Sequence, residues 1–330
     1  MKKRLFLTVG LYLAVLLFPP SLLAADKIVL TAACWLAPTH VIAVSGQKFF
    51  NLVEEYTDGK VKIKFHTGGS LMSGRDQLQA IRNSTIDFAN IAPQYHPGEL
   101  PLGSYLAMLP LTYTYDTYLD CQRDLFPLQS AEYKKSNAKL LFNAPQSLEW
   151  YLKKEIDPNK PDFSGRKLRS LGPISANYIQ AFGGVPVSMP SGEIAVALAT
   201  GAIDGCMTSL NSGKAWELYK DAPYVYITAG NITYNSWIMN IDTWNKLPKD
   251  VQSAIERAAE EMVQWSWFNA KEKDSATIAD WEKNPKIYLT KLTPAHRKIW
   301  LEKISFLYDE FETKLGDRAT STMKVLDKYR

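Results

Sequence analysis

Arg169 is the residue of this chain best suited to hold a charged ligand. It ends the short run Arg166–Lys167–Leu168–Arg169, in which charged side chains flank Leu168. A guanidinium can bind a carboxylate through two parallel hydrogen bonds, which fix both the position and the orientation of an acid. The alternative is a solvated arginine at the end of a strand, and the residue types alone do not decide between the two. Arg166 and Lys167 are expected to be solvated.

The histidines and the catalytic motifs give no support to an enzyme. The four histidines are scattered, and we expect most of them to be surface or structural residues. His40 is the best ligand-binding candidate among them, because it follows the first predicted strand and open α/β sheets bind ligands beyond their strand ends. The chain contains no Gly-x-Ser-x-Gly motif, no phosphate-binding loop and no His-Glu-x-x-His motif. We therefore expect no catalytic residue.

Three tryptophans and a second arginine are further binding candidates. Trp35, Trp150 and Trp237 lie in or near segments expected to surround a cleft, although most tryptophans of soluble proteins are largely buried. Arg75 precedes the second predicted helix and could supply another positive charge. Its alternative is a solvated residue at the start of that helix.

The cysteines do not form a metal site. Cys34, Cys121 and Cys206 are far apart in the chain, and their spacing fits no zinc site. We expect three buried thiols, with one disulfide and one free thiol as the alternative. We expect no metal-ligating residue and no cofactor.

The elements that position these residues alternate between strand and helix. Residues 161–210 show the pattern strand, helix, strand, helix, strand, with Gly183–Gly184 ending the first helix. A similar alternation over residues 27–92 predicts β-α-β units and a mainly parallel sheet. Small residues followed by an Ile-Asp pair occur after a helix twice, at Asp87 and at Asp204. This repetition predicts two lobes built on one plan, with a cleft between them.

The segment from Gly165 to Gly205 resembles a known family. The family motif is a Gly-x-Lys-x-Arg strand followed by a block that ends in Gly-x-x-Asp-Gly. The matching residues here are Gly165, Lys167, Arg169, Gly183, Pro186, Met189, Glu193, Ala197, Leu198, Gly201, Asp204 and Gly205. In this block the chain is similar to the extracytoplasmic solute-binding proteins of tripartite ATP-independent periplasmic (TRAP) transporters. The resemblance implies a two-lobed α/β periplasmic-binding-protein fold, in which each lobe is a mainly parallel sheet flanked by helices. It also implies that the long helix predicted from Pro248 onward spans both lobes.

The resemblance gives several residues an expected role. Arg169 falls on the position at which the family binds the carboxylate of its ligand. Trp237 lies on a strand that often presents ligand-facing side chains in the family. Thr208 and Asn235 match positions that make polar contacts in some relatives.

One departure from the family bears on the ligand. Relatives that bind sialic acid carry a second arginine at the position where this chain has Leu148. We therefore expect a monocarboxylate with an apolar or aromatic body, lying against Trp150 or Trp237.

The first 25 residues have the pattern of a cleavable secretory signal peptide. Lys2, Lys3 and Arg4 precede an apolar run, and small residues stand at Ala24 and Ala25. Without this leader the net charge falls from +4 to +1, so no basic excess favours nucleic-acid binding. The chain after the signal peptide is predicted to form two lobes. Lobe I comprises residues 26–146 plus 236–275, and lobe II comprises residues 147–235 plus 276–330.

The sequence thus favours a periplasmic solute-binding protein that captures a small organic acid. The resemblance implies two membrane partners, a small and a large integral subunit, and transport driven by an ion gradient. The alternatives are a binding protein of an ATP-driven importer and a two-lobed periplasmic enzyme that acts on an organic acid. The identity of the acid, assistance by a metal ion and the oligomeric state stay open.

Overall fold

The protein is built on two β-sheets, each covered by helices. This computed structural model describes residues 27–109, 114–228 and 231–329, so the predicted signal peptide lies outside the described residues. The first sheet contains five strands, in the order β2 (Val61–His66), β1 (Ile28–Ala33), β3 (Phe88–Ile91), β10 (Ile232–Asn240) and β4 (Ala138–Ser147). The second contains six, in the order β11 (Tyr288–Lys291), β9 (Tyr224–Ile227), β5 (Glu149–Leu152), β8 (Gly205–Thr208), β6 (Lys167–Ser170) and β7 (Val185–Ser188). We call the first sheet with its helices lobe I and the second lobe II.

The helices connect the strands as the sequence pattern predicts. The helices of the first half of the chain are α1 (Val41–Tyr56), α2 (Gln77–Arg82), α3 (Pro101–Leu106) and α4 (Tyr115–Lys134). Those between the strands of lobe II are α5 (Pro173–Ala181), α6 (Ile194–Thr200) and α7 (Leu210–Ala215). The chain then continues through α8 (Ile241–Lys246), α9 (Lys249–Trp281), α10 (Pro294–Ile304), α11 (Phe306–Leu315) and α12 (Asp317–Leu326).

Both sheets combine parallel and antiparallel strands. The strands that form β-α-β units are parallel, as predicted, because a helix returns the chain between them. The exceptions are β10, antiparallel to β3 and β4, and β5, antiparallel to β8 and β9. These two strands begin directly after the chain has passed from one sheet to the other. One passage joins β4 to β5 and the other joins β9 to β10, within a few residues of the predicted lobe boundaries, and the residue division itself stays a proposal.

The 33-residue helix α9 reaches from one lobe to the other. Its first half buries Val251, Ile255 and Met262 in the hydrophobic core of lobe I. At its last residue, Trp281 belongs to the core of lobe II and packs edge-on against Tyr151, with 6.0 Å between ring centroids. The predicted spanning helix is therefore present.

The C-terminal helices contact both halves of the chain. In α10, Trp300 packs against Phe182 beside α5, with 5.2 Å between ring centroids. In α11, Phe311 packs against Tyr105 of α3 at 5.3 Å. One hydrophobic cluster thus runs continuously from α3 and α4 through the C-terminal helices into lobe II.

The three cysteines are buried and unpaired. Burial raises the pKa of the Cys34, Cys121 and Cys206 thiols to about 12, so they behave as small apolar residues. Within the described parts of the chain, no helix has the length and apolar character needed to cross a membrane.

Candidate functional site

A small cavity of about 20 Å³ lies between the lobes, where four strands end. The chain reaches it just after β1, after β3, on β6 and at the end of β8. Carboxyl ends of parallel strands are where open α/β sheets bind ligands. The lining residues are Trp35, Leu36, His40, Gln94, Tyr95, Gln146, Leu148, Arg169, Leu171, Ser191, Thr208, Ser209 and Ser212.

Arg169 is the only arginine or lysine among the lining residues. Its side chain is 1% exposed, although arginine is rarely buried without a charged partner. Nε and Nη1 donate to the backbone oxygens of Met189 and Met207, both at 3.2 Å, and Nη2 donates to the Tyr95 hydroxyl at 3.3 Å. No carboxylate among the described residues forms an ion pair with it. A buried charge without a counter-ion is costly, so this guanidinium favours an anion in the cavity.

His40 joins the two lobes beside the cavity. Its Nδ1 accepts a hydrogen bond from the backbone N–H of Ile42 at the start of α1, and its Nε2 lies 3.4 Å from Ser209 Oγ in lobe II. Burial lowers the pKa of His40 to about 4, so the ring is neutral at neutral pH. Because Nδ1 is the acceptor, Nε2 carries the ring hydrogen and donates a hydrogen bond to Ser209 Oγ. Together with the contact between Tyr95 and Arg169, this bond holds the lobes against each other.

Two lining residues carry a buried polar atom that has no partner among the described residues. Nε1 of Trp35 and Oε1 of Gln94 are buried and make no hydrogen bond within the described structure. The Trp35 ring packs against Tyr95, with 5.6 Å between ring centroids. Unpaired buried atoms also occur away from the cavity, for example Thr233 Oγ1, so these two alone do not mark a ligand-binding surface.

Asn235 supports the cavity without lining it. Nε2 of Gln146, a lining residue, donates to Oδ1 of Asn235 at 3.3 Å. Asn235 Nδ2 in turn donates to Oδ1 of Asn90 at 2.8 Å. These side chains are buried, so the chain of amides fixes how Gln146 sits at the wall. Thr208 lines the cavity, and its contact with a ligand stays a prediction.

Two expected ligand contacts are not brought to the cavity. Trp237 lies in the core of lobe I, where it packs against Phe50 at 5.4 Å and donates from Nε1 to Ser45 Oγ at 3.3 Å. Trp150 lies in another core cluster, 4.8 Å from Phe163 between ring centroids. Both rings are buried in hydrophobic clusters of the cores, where they pack against other apolar side chains. The expected stacking of a ligand on Trp150 or Trp237 is therefore corrected, and Trp35 is the tryptophan at the cavity.

Arg75 stands outside the cavity wall. Its guanidinium lies over the Tyr95 ring, 4.9 Å from the centroid, and its side chain is exposed. Cation–π contact with Tyr95 is a positioning role rather than direct access to a ligand.

Several lining residues were not anticipated from the sequence. Gln94 and Tyr95 follow β3, Ser191 follows β7, and Ser209 and Ser212 follow β8. The rule that selected His40, a position just after a strand, applies equally to them. Among the described residues, no group of three or more His, Cys, Asp or Glu side chains is placed to hold a metal ion.

Comparison with known proteins identifies the family. Residues 33–314 match the bacterial extracellular solute-binding protein family 7. The C4-dicarboxylate-binding periplasmic protein DctP of Rhodobacter capsulatus is 25% identical over 315 residues, which are 91% of this chain and 91% of that protein.

Solved structures share the fold at low sequence identity. A TRAP solute-binding protein specific for pyroglutamate, from a marine metagenome, superposes with a TM-score of 0.85 at 22% identity, covering 92% of this chain and 99% of that one. The ectoine-binding protein of the TeaABC TRAP transporter of Halomonas elongata gives 0.83 at 19% identity, covering 91% and 98%. The chain belongs to the bacterial extracellular solute-binding protein family 7.

Proposed function

We propose that this protein captures a small monocarboxylate in the periplasm and delivers it to the two integral membrane subunits of a TRAP transporter. The observation that carries the proposal is the buried Arg169, which lines the interlobe cavity and has no carboxylate partner among the described residues. The predicted signal peptide supports the periplasmic location.

A single negative charge fits the cavity better than two. Arg169 is the one lining side chain that is always cationic, and Leu148 lines the wall where a second arginine would favour a second anionic group. Relatives named for their ligands span both kinds of acid, since one binds C4-dicarboxylates and another pyroglutamate. A second carboxylate would lose its hydration in the cavity without gaining a cationic partner, so its burial would be unfavourable.

Binding without catalysis is part of the proposal. His40, the one lining residue that could act as a general base, has both ring nitrogens engaged, by Ile42 and by Ser209. A turnover assay of the acids that bind tests the alternative of a periplasmic enzyme, which predicts their conversion.

The test of the proposed function is calorimetric titration with small acids and their methyl esters. We expect binding of acids only, since the ester lacks the charge. Arg169→Ala leaves the ligand carboxylate buried and uncompensated, which costs roughly 2–5 kcal/mol. That is a loss of about 30- to 5,000-fold in affinity. Arg169→Lys should weaken binding less, because it keeps the charge but loses the planar fork.

Lys167→Ala is the matched control, because Lys167 is an exposed cation on the same strand. It should leave affinity unchanged. If Arg169→Ala is folded and binds acids as tightly as the parent, the carboxylate is held elsewhere and the proposed function fails in its central step.

A further inference from the structure

We infer that protonation of His40 in acid breaks its contact with Ser209 and separates the lobes, so that a bound monocarboxylate is released. His40 belongs to lobe I and Ser209 to lobe II, and both line the cavity that contains Arg169. The inference rests on the proposed function, because it concerns the acid that Arg169 binds there.

The contact joins the starts of two helices. His40 precedes α1, and its Nδ1 accepts a hydrogen bond from the backbone N–H of Ile42 at 3.2 Å. Ser209 precedes α7, and its Oγ accepts from the backbone N–H of Ser212 at 3.1 Å. Each side chain thus caps its own helix, and the two caps meet across the cleft at 3.4 Å.

The hydrogen bonds of these caps fix the positions of the hydrogens. Ser209 donates its one hydroxyl hydrogen to Ser212 Oγ at 3.0 Å, so it can only accept from His40. Nε2 of His40 therefore carries a hydrogen, and Nδ1, which accepts from Ile42, carries none. A further proton can enter the ring only at Nδ1, where it would face the N–H of Ile42. The closed arrangement consequently has no acceptor for a protonated His40.

Separation of the lobes relieves this conflict. His40 is 6% exposed in the closed structure. When lobe II withdraws, Nε2 meets water instead of Ser209, and the ring can turn so that both N–H groups donate to water. Burial lowers the pKa of His40 to about 4 from its ordinary value of 6.5, and exposure removes that cause.

Neighbouring charges do not reverse the effect. Burial alone accounts for the lowered pKa of His40. The charge of Arg169 also disfavours a second cation in the cavity, and a bound carboxylate leaves that pair without net charge. The titratable and charged groups around His40 are Arg169 and Tyr95 in the lining, Lys48 on α1, His96 after β3, Lys214 on α7 and Asp274 on α9.

Acid should therefore weaken binding. Between about pH 6.5 and about pH 4 the open protein carries a proton on His40 that the closed protein excludes, so closure must expel it. Affinity is greatest at neutral pH and falls as the pH drops through this range. From pH 7 to pH 5 we expect a loss of about twentyfold, which follows from the pKa values of 6.5 and about 4.

Calorimetric titration at pH 7 and pH 5 tests the inference. The probe is the tightest binder in a panel of small monocarboxylates, namely lactate, pyruvate, benzoate and pyroglutamate. At pH 5.5, titration in two buffers with different ionisation enthalpies should show release of about one proton for each acid molecule bound. A carboxyl group that becomes buried on closure would instead take up a proton, so the sign distinguishes His40 from such a group.

His40→Gln assigns the effect to the ring. The glutamine amide can bond the same neighbours and cannot titrate, so both the pH dependence and the proton release should disappear, whatever the affinity of the variant at pH 7. Protonation of the probe itself is common to parent and variant. If thermal unfolding shows that His40→Gln is not folded, His40→Asn takes its place, because asparagine is a good helix cap.

His96→Gln is the matched control. His96 is also a buried histidine whose pKa is lowered by burial, but Glu99 and the backbone of Gly74, which act on it, both belong to lobe I. Its surroundings should change little when the lobes separate. The variant should therefore keep the loss of about twentyfold between pH 7 and pH 5.

The outcomes separate this inference from the proposed function. Equal affinity of the parent at pH 7 and pH 5, uptake of a proton on binding, a loss that persists in the His40 variant or one that disappears in His96→Gln would overturn the acid-sensitive contact alone. Absence of binding by all four acids at pH 7 would overturn the proposed function and the inference with it.

Discussion

Two buried carboxyl groups lie where the chain passes between the lobes. Oε2 of Glu149, at the start of β5, accepts hydrogen bonds from the backbone N–H and the hydroxyl of Thr228, at 2.6 and 3.0 Å. Asp274 of α9 accepts from the Tyr115 hydroxyl at 2.6 Å and from Asn211 Nδ2 at 3.2 Å. Burial raises the pKa of Glu149 to about 8, and the nearby charge of Asp274 adds to that rise. Glu149 is therefore protonated at neutral pH.

Glu149→Gln should change how stability depends on pH. The folded-state pKa of about 8 lies above the ordinary value of 4.5, so between these values the unfolded chain releases a proton that the folded chain keeps. Stability from this group is complete below pH 4.5 and is lost as pH rises to about 8. Glutamine keeps an acceptor for Thr228 and cannot ionise.

Scanning calorimetry from pH 4.5 to 8.5 measures this effect. The Tm of the variant should exceed that of the parent by at least about 2 °C at pH 8, corresponding to about 1 kcal/mol, and the two should converge at low pH. Glu260→Gln, at an exposed position of α9, is the control and should not alter the pH dependence. Identical pH profiles for parent and Glu149→Gln would show that Glu149 is ionised in the folded protein.

At the scale of elements, the turn between β6 and α5 meets the segment after β3. A Cβ added at Gly172 would lie 2.7 Å from the carbonyl oxygen of Gln94, closer than such contacts normally come. The φ of Gly172 is 179°, an extended value that any residue adopts, so alanine strains only this contact between the lobes. The absence of a side chain at Gly172 thus permits the lobes to close at the cavity.

Gly172→Ala should therefore weaken ligand binding without unfolding the protein. We expect about a tenfold loss of affinity for the tightest-binding acid of the panel, measured by calorimetric titration, with ligand-free thermal stability near that of the parent. Gly192→Ala is the matched control, because a Cβ there meets no atom within 4 Å. Unchanged affinity in Gly172→Ala would contradict this prediction. It would mean that the segments carrying Gly172 and Gln94 can move apart in the ligand-bound protein without weakening binding.

The elements were more predictable from the sequence than the faces they present. Helix spacing and glycine stops are local signals, so the β-α-β order and the long helix α9 followed from the sequence. The direction in which Trp237 points could not be predicted from local sequence signals. All residues of β10 are buried, so no polar and apolar alternation shows which of its side chains face the cavity and which the core. Gln94 was missed for a related reason, since its role depends on strands from distant parts of the chain ending together.

At the scale of the whole molecule, the structure has the two lobes closed. The contacts of His40 with Ser209 and of Tyr95 with Arg169 cross the cleft, and the cavity they enclose is small. Entry of a ligand requires these bonds to break and the lobes to separate. Among the described elements, the junction of β4 with β5 and helix α9 are connections across which such a motion must occur.

We expect the ligand-free protein in solution to be more open on average than this structure. Binding of an acid to Arg169 stabilises only the closed arrangement, because the cavity wall is complete only when the lobes meet, and a ligand shifts such an equilibrium by its differential affinity. Small-angle X-ray scattering with saturating amounts of the tightest-binding acid should therefore show a smaller radius of gyration than without it. Gly172→Ala, titrated to saturation, should compact less than the parent, while Gly192→Ala should match it. A radius of gyration that is the same with and without ligand, and in both variants, would show that the lobes form one rigid body and that the acid enters by another route.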